Sequence, residues 1–265
     1  MPIAKVRDAE LFYEIQGEGP PLILSSGMGG LAAYWMPQVA EFAKRSRVVT
    51  YDQRGTGRST HSEVDYSVEL LASDLIELMD ALGIDKADAV GHSTGGMFMQ
   101  AAAADHGERF GRMVLYGTRA NTDYFTQLAM GTRVELLRKA GPAAFHRATP
   151  IFLYPSWWIR ENRDRLDKAA AASVANSASI DIMASRIEAV LHHDQTARLH
   201  MIRSRTLVTC AEDDYLTPTY YSRELAAALP NAELAFISRG GHACSQTNPE
   251  EFNRTVLAFL AAAPA

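Results

Sequence analysis

The pentapeptide Gly91-His92-Ser93-Thr94-Gly95 constrains this chain more than any other stretch. Lys86 to Val90 ahead of it reads as a short buried strand, and the run from Thr94 through four consecutive alanines reads as a helix. A serine therefore stands at the apex of a strand, a tight turn and a helix. Such a turn tolerates only small neighbours: Gly91 and Gly95 let backbone and helix approach while Ser93 is held in the open as a nucleophile.

The rest of the chain alternates in the way this elbow requires. Lys5 to Arg7 and Leu11 to Ile15, joined by a turn at Asp8 to Glu10, read as an antiparallel hairpin. Strands follow at Leu22 to Leu24, Val48 to Tyr51, Met113 to Tyr116, Thr206 to Ala211 and Leu234 to Ile237, as short apolar runs of the kind buried on both faces. Helices are expected at Pro37 to Lys44, Ser67 to Leu82, Tyr220 to Leu229 and Pro249 to Ala262. In the second of these, Val68, Leu71, Ala72, Leu75, Leu78, Met79 and Leu82 recur at helical spacing, with Ser67 or Asp65 as the cap. This alternation predicts an α/β fold with a mainly parallel sheet. From residue 121 to 200 no buried strand is legible, so an inserted helical cap is expected there, with the core made of residues 1–120 and 201–265.

Composition excludes several function classes. A net charge of -5 without a basic run leaves no electrostatic footprint for nucleic acid or an anionic membrane, and no apolar run reaches bilayer length. Two cysteines, Cys210 and Cys244, make no disulfide framework and suit a cytoplasmic protein. The expected partner is a small-molecule substrate; a homodimer stays open. Asp52-Gln53-Arg54-Gly55-Thr56-Gly57-Arg58-Ser59 invites a dinucleotide-loop reading, but the third glycine is missing and no helix opens at once, so it reads as a turn pinned by Asp52 and Arg54. His192-His193-Asp194 reads as part of a solvated cap helix rather than a metal site.

A serine hydroxyl needs a base, and the base an orienting carboxylate. His242, in Gly240-Gly241-His242-Ala243 after a core strand, is the best base; His92 lies inside the elbow and points away from the hydroxyl. The acid comes from Ala211-Glu212-Asp213-Asp214, where counting back from Pro218 favours Asp214 and counting from Cys210 favours Asp213; Asp214 is preferred. Two backbone amides must face the developing oxyanion: Thr94, which follows the nucleophile, and Met28 in Ser26-Gly27-Met28-Gly29. In the cap, Phe152, Tyr154, Trp157 and Trp158 are candidates to line the substrate pocket, and the cap also carries Arg133, Arg138, Arg147 and Arg186, candidates to hold a carboxylate if the substrate bears one, as the resemblance below implies.

With these residues assembled, the chain resembles the α/β-hydrolase superfamily over nearly its full length. Within it, Tyr34-Trp35-Met36-Pro37-Gln38, Tyr51 to Gly57, Phe152-Leu153-Tyr154-Pro155, Cys210 to Pro218 and Gly240 to Cys244 are similar to the aminoacrylate hydrolases of oxidative uracil degradation. The chain also looks like the 3-oxoadipate enol-lactonases of aromatic-ring catabolism. The resemblance implies the α/β-hydrolase fold with an eight-stranded sheet, helices on both faces and an inserted cap. It also implies a small carboxylate-bearing substrate, cleaved at a C-N or C-O bond through an acyl-enzyme, without metal or organic cofactor. Direct attack by a water activated by His242, a general carboxylesterase, and a ligand-binding receptor on the same scaffold are the other readings.

Overall fold

A computed structural model describes residues 2–262; the outermost ends of the expected core, at 1 and 263–265, lie outside the described residues. The hairpin is β1 (Ile3–Val6) and β2 (Ala9–Gln16), followed by β3 (Pro21–Ser25), α1 (Met36–Phe42), β4 (Arg47–Tyr51), α2 (Val68–Ala81), β5 (Ala87–His92), α3 (Thr94–Asp105) and β6 (Phe110–Tyr116). Four helices come next: α4 (Tyr124–Leu153), α5 (Ser156–Glu161), α6 (Arg163–Ala175) and α7 (Ile180–Leu191). The alternation then resumes with β7 (Thr206–Ala211), α8 (Thr219–Ala228), β8 (Ala232–Ile237), α9 (Cys244–Thr247) and α10 (Pro249–Ala261).

These strands form one eight-stranded sheet in the order β1-β2-β4-β3-β5-β6-β7-β8. The pairs β1/β2 and β2/β4 are antiparallel and all others parallel. Apolar clusters fill both faces. One joins α2 and α3 to the sheet through Leu75, Leu78, Phe98 and Met99; the other joins α1 and α10 through Phe42, Phe252 and Val256. The parallel strands are therefore covered on both sides, as their unbroken apolar runs require.

Two local differences from the sequence reading, in the first turn and at His192-His193, have physical causes, and the cap of α2 is decided between its two candidates. Val6 pairs with Ala9, so the first turn is the two residues Arg7-Asp8 rather than the stretch from Asp8 to Glu10. Ser67, not Asp65, caps α2, its hydroxyl accepting the Leu70 amide at 3.0 Å. The pair His192-His193 is not on a helix at all, because α7 ends at Leu191; His192 is exposed, but His193 turns inward and donates from Nε2 to the Arg119 carbonyl at 3.3 Å. The long α4 is broken at Gly141, which takes φ 79° and ψ 177° immediately before Pro142. Among the described residues no helix is long and apolar enough to cross a membrane.

Candidate active site

The site lies at the carboxyl ends of the parallel strands, where open α/β sheets place their ligands. Ser93, between β5 and α3, has φ 53° and ψ -118°, the only positive φ outside glycine among the described residues. That conformation costs on the order of 1–3 kcal/mol and persists because its surroundings enforce it. The Ser93 amide donates to the Tyr116 carbonyl at 2.8 Å, and its own carbonyl accepts the Gly96 amide at 2.9 Å. The flanking glycines are steric necessities: a Cβ at Gly95 would stand 2.4 Å from the Ser25 carbonyl oxygen, and one at Gly91 2.8 Å from the Gly95 carbonyl oxygen.

Asp214 follows β7 and His242 follows β8. His242 donates from Nδ1 to Asp214 Oδ2 at 3.0 Å, and both side chains are buried. Asp214 is held in turn: Oδ1 accepts the Thr217 amide at 2.8 Å and Oδ2 the Thr217 hydroxyl at 2.7 Å. An Nδ1 proton directed at a carboxylate leaves Nε2 of a neutral imidazole as the basic nitrogen. Asp213 has a different task. Its Oδ1 accepts the amides of Gly240 and Gly241 at 2.7 and 2.8 Å, so it fixes the loop that carries the histidine rather than the histidine itself.

The loop Ser26 to Gly30 lies across from the elbow. The amides of Met28 and Thr94 have no hydrogen-bond partner among the described residues, and both residues line the same cavity as Ser93 and His242. The loop is braced from behind: Gln53 donates from Nε2 to the Ser26 carbonyl at 2.6 Å, and Arg186 donates from Nη2 to the Met28 carbonyl at 3.1 Å and to Gln53 Oε1 at 2.7 Å. The glycine-rich stretch after β4 is thus a pinned turn, as its spacing indicates, and Gly55 to Arg58 also border the cavity. Asp52 accepts the Ala32 and Arg58 amides, and Arg54, buried, forms a two-pronged ion pair with Asp74.

Residues 20–249 match the family model described as the alpha/beta hydrolase fold. This chain belongs to that family. It is a hydrolase, similar along almost its whole length to proteins carrying the provisional name carbamate hydrolase RutD. The relative from Caulobacter segnis is 43% identical over 241 residues, covering 90% of each chain, and that from Azorhizobium caulinodans is 39% identical over 259 residues, covering 98% of each. Among solved structures, the enol-lactonase from Burkholderia xenovorans LB400 matches with a TM-score of 0.91 at 29% identity, over 98% of this chain and 100% of the other.

Several residues that support this α/β-hydrolase site escape a sequence reading centred on the serine and its partners. His92 is stacked between Tyr34 and Tyr116, with ring centroids 4.7 and 4.4 Å away, and donates from Nε2 to the His242 carbonyl at 3.0 Å. The Tyr116 hydroxyl donates to the same carbonyl at 2.7 Å, so two donors hold the backbone of residue 242. Burial holds His92 well below the ordinary imidazole value, and its Nδ1 is sealed without a partner. Gln38 and Tyr34 complete the brace through the Ser245 carbonyl and hydroxyl, at 2.7 and 2.9 Å. The signal for this group was the unexplained run Tyr34 to Gln38.

A cavity of about 740 Å³ joins these core residues to α4, α6 and α7. Of the four aromatic residues expected to line it, only Tyr154 does. Trp158 is buried behind Tyr154, with rings 4.5 Å apart, Trp157 packs beneath the Arg239 guanidinium, and Phe152 packs against Arg133. This correction has a geometric cause: α4 ends at Leu153 and a new short helix begins at Ser156, so the run does not present one face. The run instead docks on the loop that carries His242, since the Ala243 amide donates to the Leu153 carbonyl at 3.0 Å. The four arginines also separate. Arg138 pairs with Glu188 at the surface and Arg147 is exposed, whereas Arg133 and Arg186 are buried and line the cavity.

Proposed function

We propose that this protein is a serine hydrolase that cleaves a C-N or C-O bond of a small carboxylate-bearing intermediate of ring catabolism through an acyl-enzyme. The reading rests above all on one observation: a strained, cavity-facing Ser93 shares its cavity with a histidine whose Nδ1 is committed to Asp214. In this mechanism Ser93 Oγ attacks the substrate carbonyl carbon while its proton passes to His242 Nε2. The Met28 and Thr94 amides receive the oxyanion, helped at Thr94 by the N-terminus of the twelve-residue α3. The scissile bond then breaks, the leaving amine, enol or alcohol takes the proton, and water releases the acyl group by the same base. Asp214 holds the ring and stabilises the imidazolium.

Helices α4 to α7, within residues 121–200, act as the cap that shapes the substrate. The name of the relatives supports carbamates as substrates, and that of the structural neighbour supports enol-lactones. The two free, buried cysteines, Cys210 and Cys244, are compatible with work in the cytoplasm.

The test is hydrolysis of 4-nitrophenyl acetate by the wild type and Ser93→Ala. A rapid burst of nitrophenolate in the wild type and a loss of about 10³-fold or more in the variant are expected. Turnover that survives the substitution would point to direct water attack, and binding without turnover to a receptor.

A further inference from the structure

The helical spacing of α4 puts Thr126, Met130, Arg133 and Leu137 on one buried stripe, and Arg133 is the charged member of it. Arg133 is only 4% exposed, and it forms no ion pair with a carboxylate of the described residues. The guanidinium lies between two aromatic rings, 4.9 Å from the centroid of Phe145 and 4.8 Å from that of Phe152. Its single hydrogen bond runs from Nη2 to the Thr149 hydroxyl at 3.3 Å, while Nε is sealed without a partner. Ring faces offset part of the cost of burying a cation, but a guanidinium carries five donors and calls for an anion. Desolvation alone pushes its pKa down to about 10, so the group is still charged at neutral pH.

Two other buried arginines border the same cavity, and their terminal nitrogens are committed to the protein. Arg186 serves the carbonyls of Arg54 and Met28 and the side chain of Gln53. Arg119 donates from Nη2 to the Thr122 hydroxyl and the Val190 carbonyl and from Nη1 to the Met97 sulfur at 3.6 Å, although its Nε, like that of Arg133, is sealed without a partner. Among the described residues, Arg133 alone of the three keeps a terminal nitrogen, Nη1, without a protein partner beside the cavity, with the His146 ring and the Thr149 hydroxyl as polar neighbours.

We propose that Arg133 anchors the carboxylate of the substrate, seating the anionic arm in the cap while the scissile carbonyl meets Ser93. This assignment rests on the hydrolase reading above and selects one of the four cap arginines. It makes Arg133 a specificity residue: planar two-pronged recognition of a carboxylate is what a guanidinium supplies and an ammonium does not.

Mono-4-nitrophenyl adipate and 4-nitrophenyl hexanoate share leaving group and chain length and differ by the terminal carboxylate, so their ratio of kcat/KM reads the anchor. In the wild type the half ester is expected to be preferred. Arg133→Gln should lower kcat/KM for it by about 50-fold or more, mostly through KM, and change hexanoate hydrolysis by less than about threefold. Arg133→Lys keeps the buried charge and should recover part of the preference; it also serves if the glutamine variant does not fold. Equal losses on both esters in either variant, or an unchanged ratio, would overturn the assignment. Should neither ester be cleaved in a manner dependent on Ser93, the hydrolase reading itself fails. The anchor is then judged by calorimetric titration of adipate into wild type and variant, and equal affinities reject it.

Discussion

Two adjacent carboxylates, Asp213 and Asp214, show what one residue of offset does. Their chemistry is identical and the sequence separates them only by counting along a loop. In the structure Asp214 is buried against the His242 ring, while Asp213 is exposed and ties down the Gly240 and Gly241 amides. Opposite outcomes are therefore expected from the two isosteric or truncating changes. In the proposed mechanism Asp214→Asn removes the charge that would steady the imidazolium and should lower kcat by about 10⁴-fold, with little change in melting temperature. Asp213→Ala strands two buried amides and should cost about 1–3 kcal/mol of stability, while a smaller loss of kcat reports the loosened loop. Denaturant titration and steady-state kinetics on both variants decide the matter; a stability loss confined to Asp214→Asn would reverse the two roles.

At the scale of elements, the strand ends and the elbow were legible because each rests on a local rule: an apolar run buried on both faces, a glycine where no Cβ fits, a proline that opens a helix. The elbow makes the sharpest prediction of this kind. Gly95→Ala drives a Cβ to 2.4 Å from the Ser25 carbonyl oxygen and 2.6 Å from that of Ser26, both backbone atoms of the loop at the end of β3. Neither β3, paired on both sides, nor α3, buried along its length, can move away. Destabilisation of about 3 kcal/mol or more, or failure to fold, is expected from thermal unfolding of the variant. What stayed illegible was rotation. Nothing local tells which side of α4 faces the cavity once Gly141 breaks it, or that the helix stops at Leu153 and a new one starts at Ser156, so the aromatic run reads as one block although only Tyr154 reaches the cavity. The brace from Tyr34 and Gln38 to the His242 loop was equally hidden, since it joins residues about two hundred positions apart through carbonyls and hydroxyls.

For the whole molecule, the buried polar groups that serve the site set how the protein responds to acid. Burial drives the His193 pKa down to about 3 and holds His92 well below its ordinary value, and desolvation moves His146 the same way, with Arg133 adding to it. A histidine whose pKa is depressed by folding binds its proton preferentially in the unfolded chain. Its contribution to stability is complete above the unfolded value of about 6.5 and is lost as pH falls below it. The carboxylates of Asp8, Asp194 and Glu251, lowered by Arg54, by Thr196 and by Ser238 respectively, act in the same direction only below pH ~4, so the window from pH 7 to 5 belongs to the histidines. With its pKa at about 3, His193 should cost about 2 kcal/mol across that window. His193→Gln keeps an N-H donor for the Arg119 carbonyl but does not titrate. Urea unfolding at pH 7 and pH 5 should therefore show a smaller acid loss in His193→Gln than in the wild type, by about 2 kcal/mol. The same acid loss in both proteins would mean that His193 is reached by solvent and protonated without unfolding.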